Sequence, residues 1–254
     1  MADMDRAIYT AMGAANAALT RQSVTSNNLA NAATPGFRAQ LSAFRAAPVE
    51  GPSVATRTLV ADSTPFNDDT MGAVNQTGRN LDVALPQNGW LAVKNADGSE
   101  GYTRAGNIEV DSEGTLRIRG LPVMGDGGAI EVPPQSALTI APDGTITARG
   151  AGDDAKTLAP VARLKMVNAR MQDLVHGDDG LFHIAPTSPN AGQAALAADP
   201  DLKLTPGALE SSNVSPVKSM VDMIANARGF DMSMRTISTV DDNDKKANQL
   251  LSLS

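Results

Sequence analysis

Residues 26–38 read SNNLANAATPGFR, and a long helical pattern ends within this stretch. Pro35 disfavours helical geometry at Thr34, and Gly36 permits a sharp change of direction. Upstream, mostly apolar or small residues follow a heptad spacing at Ile8, Met12, Ala15, Leu19, Gln22, Ser26 and Leu29. The spacing predicts a helix from about Asp5 to Ala33, roughly 43 Å long at about 1.5 Å per residue. Its narrow, alanine-rich seam suits close contact with another helix.

The other end of the chain predicts a second long helix. Ser215 is a good N-cap, and Pro216 is favoured at the first helical position. Asp241 and Lys245 form an i,i+4 pair in the favourable order. Apolar side chains recur every three or four residues, at Val217, Met220, Ile224, Ala227, Phe230, Met234, Ile237 and Val240. We therefore expect a helix from Pro216 to Leu250, and a helix of this length needs partners to cover its apolar positions.

The middle of the chain has the pattern of short β-hairpins. Asp97-Gly98, Asp111–Gly114 and Pro142–Gly144 each separate two short runs that contain alternating apolar residues, which favours a hairpin. Regularly recurring turns favour a β-sandwich or a partly closed barrel. The sequence thus predicts an α+β chain: long N- and C-terminal helices pair as an assembly domain, and the central domain is all-β.

These patterns divide the chain into four parts. We predict an N-terminal assembly helix (1–36), an extended or β linker (37–80), a β-rich body (81–205) and a C-terminal assembly helix (206–254). Segments rich in Pro, Gly, Ser, Thr and Asn connect the helices to the body.

Composition narrows the possible functions. There is no cysteine, which excludes disulfides, thiolate metal sites and cysteine nucleophiles. The net charge is −7 with scattered basic residues, which argues against a nucleic-acid partner. No stretch approaches the roughly 20 apolar residues of a membrane span, so direct membrane insertion is not expected. The N-terminus lacks the pattern of a cleaved signal peptide, so any export must use a route that needs none.

Interpretations as an enzyme or a metal protein find little support in the sequence. His176 and His183 have no metal-ligand spacing, and they are expected to be structural or surface histidines. Asp153-Asp154 and Asp178-Asp179 lie beside glycines in predicted loops, where adjacent carboxylates rarely converge on one substrate atom. Residues 199–210 have the acidic residues of a calcium loop at positions 1, 3 and 12, but Lys203 and Leu204 occupy positions that require an oxygen ligand and glycine, so the match fails. We therefore predict no catalytic, cofactor or metal site, and no enzyme.

Several phrases of the sequence resemble, in order, the signatures of the bacterial flagellar rod and hook family. They are residues 26–38, quoted above, then Leu81–Ala84, Gly89–Val93, Tyr102–Asn107 and Leu209–Val214. The opening Met4–Met12 and the closing Ala247–Leu251 are most similar to those of proximal rod subunits. Because the phrases are collinear over nearly the whole chain, chance resemblance is negligible.

Two departures from the family pattern are small. Met1-Ala2-Asp3 precedes the usual start, so either Met1 or Met4 is the initiator. Gln87 stands where many relatives have glycine, which affects at most the turn into Trp90.

The resemblance implies a structural subunit of the flagellar basal-body rod, the drive shaft that crosses the periplasm. Such subunits leave the cell unfolded through the flagellar type III export apparatus, without a cleaved signal. They then assemble with copies of themselves and with other rod subunits by packing terminal helices into a helical tube. The expected interface comprises Ile8, Met12, Ala15, Leu19, Asn27, Asn28, Leu29, Asn31, Val217, Met220, Ile224, Ala227, Phe230, Met234, Ile237 and Val240.

Other interpretations remain open from the sequence. The periodic ends also fit an ordinary helical hairpin or a dimeric coiled coil, and the asparagines also fit a solvated helix face. A second axial role, distal rod or hook, would share the same signatures. A secreted β-rich binding protein or carbohydrate-active enzyme would need a concave site lined by aromatics or carboxylates. Aromatic residues are only 3% of the chain, so that lining is scarce.

Overall fold

The computed structural model describes residues 2–48, 58–62, 66–133, 136–150 and 159–252. Within them the chain has a long helix at each end and many short strands between, so it is an α+β protein with terminal helices. It forms two compact units. Unit 1 contains residues 1–32, 40–66 and 214–254, and unit 2 contains residues 33–39 and 67–213.

The elements follow one another in a simple order. The helices are α1 (Ala2–Ala30) and α2 (Pro216–Ser252), with a short 3₁₀ turn at Met171–Asp173. The strands are β1 (Gln40–Leu41), β2 (Phe44–Pro48), β3 (Thr58–Asp62), β4 (Phe66–Asn67), β5 (Val74–Gln76), β6 (Val83–Ala84), β7 (Gly89–Lys94), β8 (Glu100–Thr103), β9 (Glu109–Val110), β10 (Leu116–Ile118), β11 (Leu121–Pro122), β12 (Met124–Gly125), β13 (Gly128–Ala129), β14 (Ala137–Ile140), β15 (Thr145–Arg149), β16 (Ala159–Arg163), β17 (Met166–Asn168), β18 (Leu174–His176), β19 (Phe182–Ile184), β20 (Thr205–Pro206) and β21 (Ala208–Glu210).

The described part of unit 1 contains the two terminal helices and the antiparallel strand pair β2–β3. Both predicted helices are confirmed, and α1 packs along α2. Ser215 caps α2: its carbonyl accepts from the amide of Ser219 at 3.0 Å. The hairpin β2–β3 pairs Phe44 with Asp62 in a region that the sequence indicated only as an extended or β linker. The guanidinium of Arg21, on α1, lies 4.4 Å from the centre of the Phe44 ring, a cation–π contact that joins hairpin and helix.

Unit 2 consists of small antiparallel sheets around two apolar clusters. Its largest sheet has five strands in the order β17-β7-β8-β19-β18, and β14-β15-β16 and β11-β10-β9 form three-stranded sheets. The predicted hairpins β7–β8, β9–β10 and β14–β15 are confirmed. One cluster is aliphatic and includes Leu91, Ile118 and Ile146. The other surrounds Trp90 and Tyr102.

Four hairpins of unit 2 use the same turn. In each, the first residue's amide donates to the carbonyl of the fifth, and the amide of the fourth, a glycine, donates to the carbonyl of the first. These glycines have φ between 77° and 88°, a left-handed conformation in which other residues are strained. The turns are Asn95–Ser99, Asp111–Thr115, Ala141–Thr145 and Gly177–Leu181. The first three are at the predicted positions, and the fourth was not predicted.

We expect acid to weaken these turns. A hydrogen bond from the Ser99 hydroxyl lowers the pKa of Asp97, and one from the Arg117 guanidinium lowers the pKa of Asp111. A backbone amide lowers the pKa of Asp143 in the same way. Because the folded pKa values lie below the unfolded ones, this stabilisation is present above about pH 4 and is lost as the pH falls through the folded values.

Urea unfolding monitored at a series of pH values measures this effect. The free energy of unfolding should stay level down to about pH 5 and fall below about pH 4, and Asp143→Asn should reduce the acid-dependent part. A profile that is unchanged in the Asp143→Asn chain would contradict the assignment of the effect to this turn.

Neither of the terminal helices, over its described residues, is long and apolar enough to cross a membrane.

Candidate assembly surface and a buried charge cluster

Helix α1 buries several of its alanines and exposes several of its large apolar side chains. Ala11, Ala15, Ala17 and Ala18 are buried. Of the other predicted seam residues, Ile8 and Leu29 are half-buried, whereas Met12 and Leu19 are exposed. Small side chains allow the backbones of packed helices to approach closely. The alanines therefore form the contact within unit 1, and Met12 and Leu19 remain available on its surface.

Helix α2 exposes a continuous apolar stripe near its start. Val217, Met220, Val221 and Ile224 follow the i, i+3, i+4, i+7 spacing that places them on one face, and they are 54% to 73% exposed. We call these four residues the α2 stripe. Met234 and Ala227 are exposed as well, whereas Phe230, Ile237 and Val240 are half-buried. Exposed apolar patches of this kind mark interaction surfaces.

The asparagines near the end of α1 differ in their contacts. Asn28 holds the backbone of Gln40 with two hydrogen bonds of 2.8 Å, one donated by its Nδ2 and one accepted by its Oδ1. Asn31 donates to the carbonyl of Asn27 at 3.0 Å, which closes the last turn of the helix. A polar contact between the two helices comes instead from Asn226, whose Nδ2 donates to Thr25 Oγ1 at 3.3 Å.

Three buried ionic side chains meet in unit 2. Arg38, Arg104 and Glu210 are each at most 2% exposed. Glu210 Oε2 accepts from Arg104 Nε at 2.9 Å and from Arg104 Nη2 at 2.6 Å. The other carboxylate oxygen, Oε1, lies 3.0 Å from Arg38 Nη2. We call these three residues the charge cluster.

The backbone satisfies the remaining donors of Arg104. Its guanidinium lies 5.5 Å from the centre of the Trp90 ring. Its Nη1 and Nη2 donate over 2.7 to 3.2 Å to four carbonyls, those of Leu85, Pro86, Gln87 and Gly89. The planar five-donor fork of arginine is suited to such a site, because it fills several directions from one buried charge.

Arg38 is the less well compensated cation. Its Nη1 donates to the carbonyls of Asp69, at 2.9 Å, and Thr70. Burial lowers the pKa of Arg38 from its usual value, the neighbouring Arg104 lowers it further, and Glu210 raises it. Two cations thus share one buried carboxylate, and removal of Glu210 would leave both without a buried counter-charge.

The segments that lead out of α1 and into α2 are joined at this cluster. The amide of Gly36 donates to the carbonyl of Glu210 at 2.8 Å. Asn213 Oδ1 accepts from the amide of Ala39 at 2.7 Å, and Asn213 Nδ2 donates to the carbonyl of Thr70 at 2.9 Å. The charge cluster and most of its neighbours therefore come from three segments that resemble the flagellar family, residues 26–38, 102–107 and 209–214.

Replacing Gly36 with alanine should destabilise unit 2 strongly. Gly36 has a φ of 67°, and a Cβ there would collide with the backbone of Arg104. Gly78 is the matched control, because it has a φ of 72° and open space around it. Each substitution costs about 1–2 kcal/mol for the left-handed conformation, and Gly36→Ala adds about 1–3 kcal/mol for the clash. Equal losses in urea unfolding of the two variants would contradict this.

The histidines have structural contacts. His183 Nε2 lies 2.9 Å from Asp179 Oδ2 in the fourth hairpin turn, and the ring of His176 meets the edge of Phe182 with 5.0 Å between ring centres. Burial lowers the pKa of His176. Asp153-Asp154 lies outside the described residues.

Sequence reasoning missed the charge cluster and two exposed apolar residues of α2, one of which belongs to the α2 stripe. Glu210 and Arg104 are 106 positions apart, and no periodic pattern links residues so distant. The indication of this cluster in the sequence was that all three of its residues lie in segments that resemble the flagellar family. Val221 was missed because the chosen heptad seam runs through its neighbour Met220, and Met232, also exposed, lies off that seam.

Comparison with known proteins places three regions of the chain in flagellar families. Residues 8–38 match the family "Flagella basal body rod protein". Residues 84–148 match the "Flagellar hook protein FlgE/F/G D1 domain", and residues 205–250 match the "Flagellar basal body rod FlgEFG protein C-terminal". Each region contains one member of the charge cluster.

Whole-chain relatives agree with these matches. The flagellar basal-body rod proteins FlgF of Salmonella typhimurium and of Escherichia coli are each 57% identical over 251 residues, which covers 99% of this chain and 100% of theirs. The flagellar basal-body rod protein FlgG of Agrobacterium fabrum is 30% identical over 93% of this chain and 96% of its own. The chain belongs to the family of flagellar basal-body rod proteins.

Proposed function

We propose that this chain is a structural subunit of the flagellar rod that assembles through its terminal helices. The observation that carries the proposal is the exposed α2 stripe, which lies on a helix of a chain 57% identical to rod proteins over its full length. Its partners are further copies of itself and other rod subunits. The proposed role is mechanical, and membership in a family of rod proteins supports a structural role instead of an enzymatic one.

The energetics of the exposed helix surfaces support assembly. Apolar surface removed from water contributes roughly 25 cal/mol per Å², and the α2 stripe, Met12 and Leu19 are exposed in the single chain. A second chain or another rod subunit would cover them. A heterologous contact that repeats without closing into a ring generates a helical tube. The predicted interface residues of both helices belong to this proposal.

Two further parts of the proposal concern architecture and export. The terminal helices act as the assembly domain, and the small sheets of unit 2 form a sandwich-like or barrel-like body. The chain reaches the rod unfolded through the flagellar type III export apparatus. Absence of cysteine supports this route, because no disulfide can lock the chain before export.

A second axial role is the competing function. Residues 84–148 match a domain description that includes hook proteins, and the Agrobacterium relative is FlgG. The identity of 57% to FlgF of Salmonella typhimurium and of Escherichia coli, against 30% to this FlgG, favours the FlgF-like position in the rod.

Complementation tests the proposal. The chain is expressed in a Salmonella typhimurium strain that lacks FlgF, and basal bodies are purified and imaged. We expect restored rods that contain the chain by mass spectrometry, and restored swimming. Rods that contain it only when FlgG or the hook subunit is absent would support the second axial role. A chain found only as a soluble protein outside the cell would refute both.

A further inference from the structure

Residues 204–213, called here the strap, supply the partners of two distant segments of unit 2. The first segment is residues 70–78. Its strand β5 pairs with β21, with Val74 opposite Glu210. The amide of Gly72 donates to Glu210 Oε1 at 3.1 Å, and the amide of Thr77 donates to the carbonyl of Gly207 at 2.8 Å.

The second segment is residues 36–39. The amides of Gly36 and Ala39 both donate to strap oxygens, as described above. The guanidinium of Arg38 lies against Glu210 on one side and donates to carbonyls of the 70–78 segment and its neighbour Asp69 on the other. The strap and the two segments therefore form one polar layer with Glu210 at its centre.

The hairpin core of unit 2 is held together differently. Strands β7 to β19 pair among themselves, and these strands together with the turns between them supply most of the apolar side chains of both buried clusters. The strap has few apolar anchors, chiefly Leu204 and Ala208, which are buried. Regions with few buried apolar contacts and many polar ones open at lower free energy than an apolar core does.

We infer that the strap and segments 36–39 and 70–78 form a clasp that opens as one cooperative unit while the hairpin core stays folded, and that Glu210 governs this opening. The inference rests on unit 2 alone and does not depend on the proposed function. Residues 36–39 follow α1, and Asn213 precedes α2. One local opening would therefore release both the segment that follows α1 and the segment that precedes α2.

Native-state hydrogen exchange of the full chain tests the clasp. At low denaturant, the amides of Gly36, Ala39, Gly72 and Thr77 should share one opening reaction. The amides of Ala92 and Leu116, which donate to the carbonyls of Lys165 and Ile130, should exchange at least about a hundredfold more slowly. A single opening reaction shared by both sets would overturn the inference.

A charge-removing variant tests the role of Glu210. In Glu210→Gln, the clasp amides should exchange at least about a hundredfold faster than in the unchanged chain. The core amides should accelerate by a similar factor, because the core unfolds only after the clasp has opened and the substitution destabilises the closed clasp. Glu109→Gln is the control, because Glu109 is exposed on β9 of the same unit. Clasp amides that exchange no faster in Glu210→Gln than in Glu109→Gln would overturn the role of Glu210. Should the variant fail to fold, exchange in the unchanged chain still decides whether the clasp exists.

Discussion

Replacing Arg104 with methionine is expected to lower the free energy of unfolding of unit 2 by about 3–5 kcal/mol. The substitution keeps much of the apolar stem and removes the charge and all five donors. It leaves the buried carboxylate of Glu210 with Arg38 alone, and it leaves the carbonyls of Pro86 and Gly89 without this donor. A buried polar group without a partner costs about 1–3 kcal/mol, and a buried charge costs more.

Trp90 provides the measurement. It is the single tryptophan of the chain, it is buried in unit 2, and its fluorescence therefore follows the unfolding of that unit. Arg149→Met is the control, because Arg149 is exposed at the end of β15. The control should stay within about 0.5 kcal/mol of the unchanged chain. An equal effect of the two substitutions would show that the charge cluster does not stabilise the unit.

Arg104→Lys distinguishes the contribution of the positive charge to stability from that of the hydrogen-bond geometry. Lysine keeps the positive charge beside Glu210 but has a compact ammonium with three donors in place of the planar fork. We expect Arg104→Lys to recover less than half of the stability that methionine loses. Full recovery would mean that charge alone matters and that the four backbone hydrogen bonds are replaceable.

The elements with local sequence rules were predictable. Both terminal helices combine periodic apolar positions with punctuation, at Pro35 and at Ser215-Pro216. Three hairpins carry an aspartate and a glycine at the turn, between runs of alternating apolar residues. The fourth turn has a similar Gly177–Gly180 core, but His176 and His183 interrupt the apolar alternation of its flanking strands. The pattern there was too weak to define strands.

Other features depend on contacts that local patterns cannot reveal. The heptad spacing groups Met12 and Leu19 with Ala15, yet the structure buries the alanine and exposes the two larger side chains. Hydrophobicity alone does not distinguish a helix face that packs within one chain from a helix face that packs against another chain. The charge cluster is also invisible locally, because burial of Arg38 and Glu210 follows from the meeting of segments far apart in sequence.

A carboxylate at position 15 is expected to abolish rod assembly while leaving unit 2 folded. Ala15 is buried on α1 within unit 1, so a carboxylate introduced there would be removed from water. Burial of an unpaired carboxylate costs several kcal/mol, so α1 would separate from its neighbours instead of accommodating it. Long helices keep their structure in water mainly through such packing.

Ala14→Asp is the matched control for Ala15→Asp, because Ala14 is exposed one position away on the same helix. Both substitutions lower the helix propensity relative to alanine by the same amount, about 0.7 kcal/mol at most. In Ala15→Asp we expect reduced helical circular dichroism, unchanged Trp90 unfolding and no incorporation into basal bodies. Ala14→Asp should retain helical content. Normal rods built from the Ala15→Asp chain would show that the buried alanine contact is dispensable, and assembly through the paired terminal helices would then be refuted.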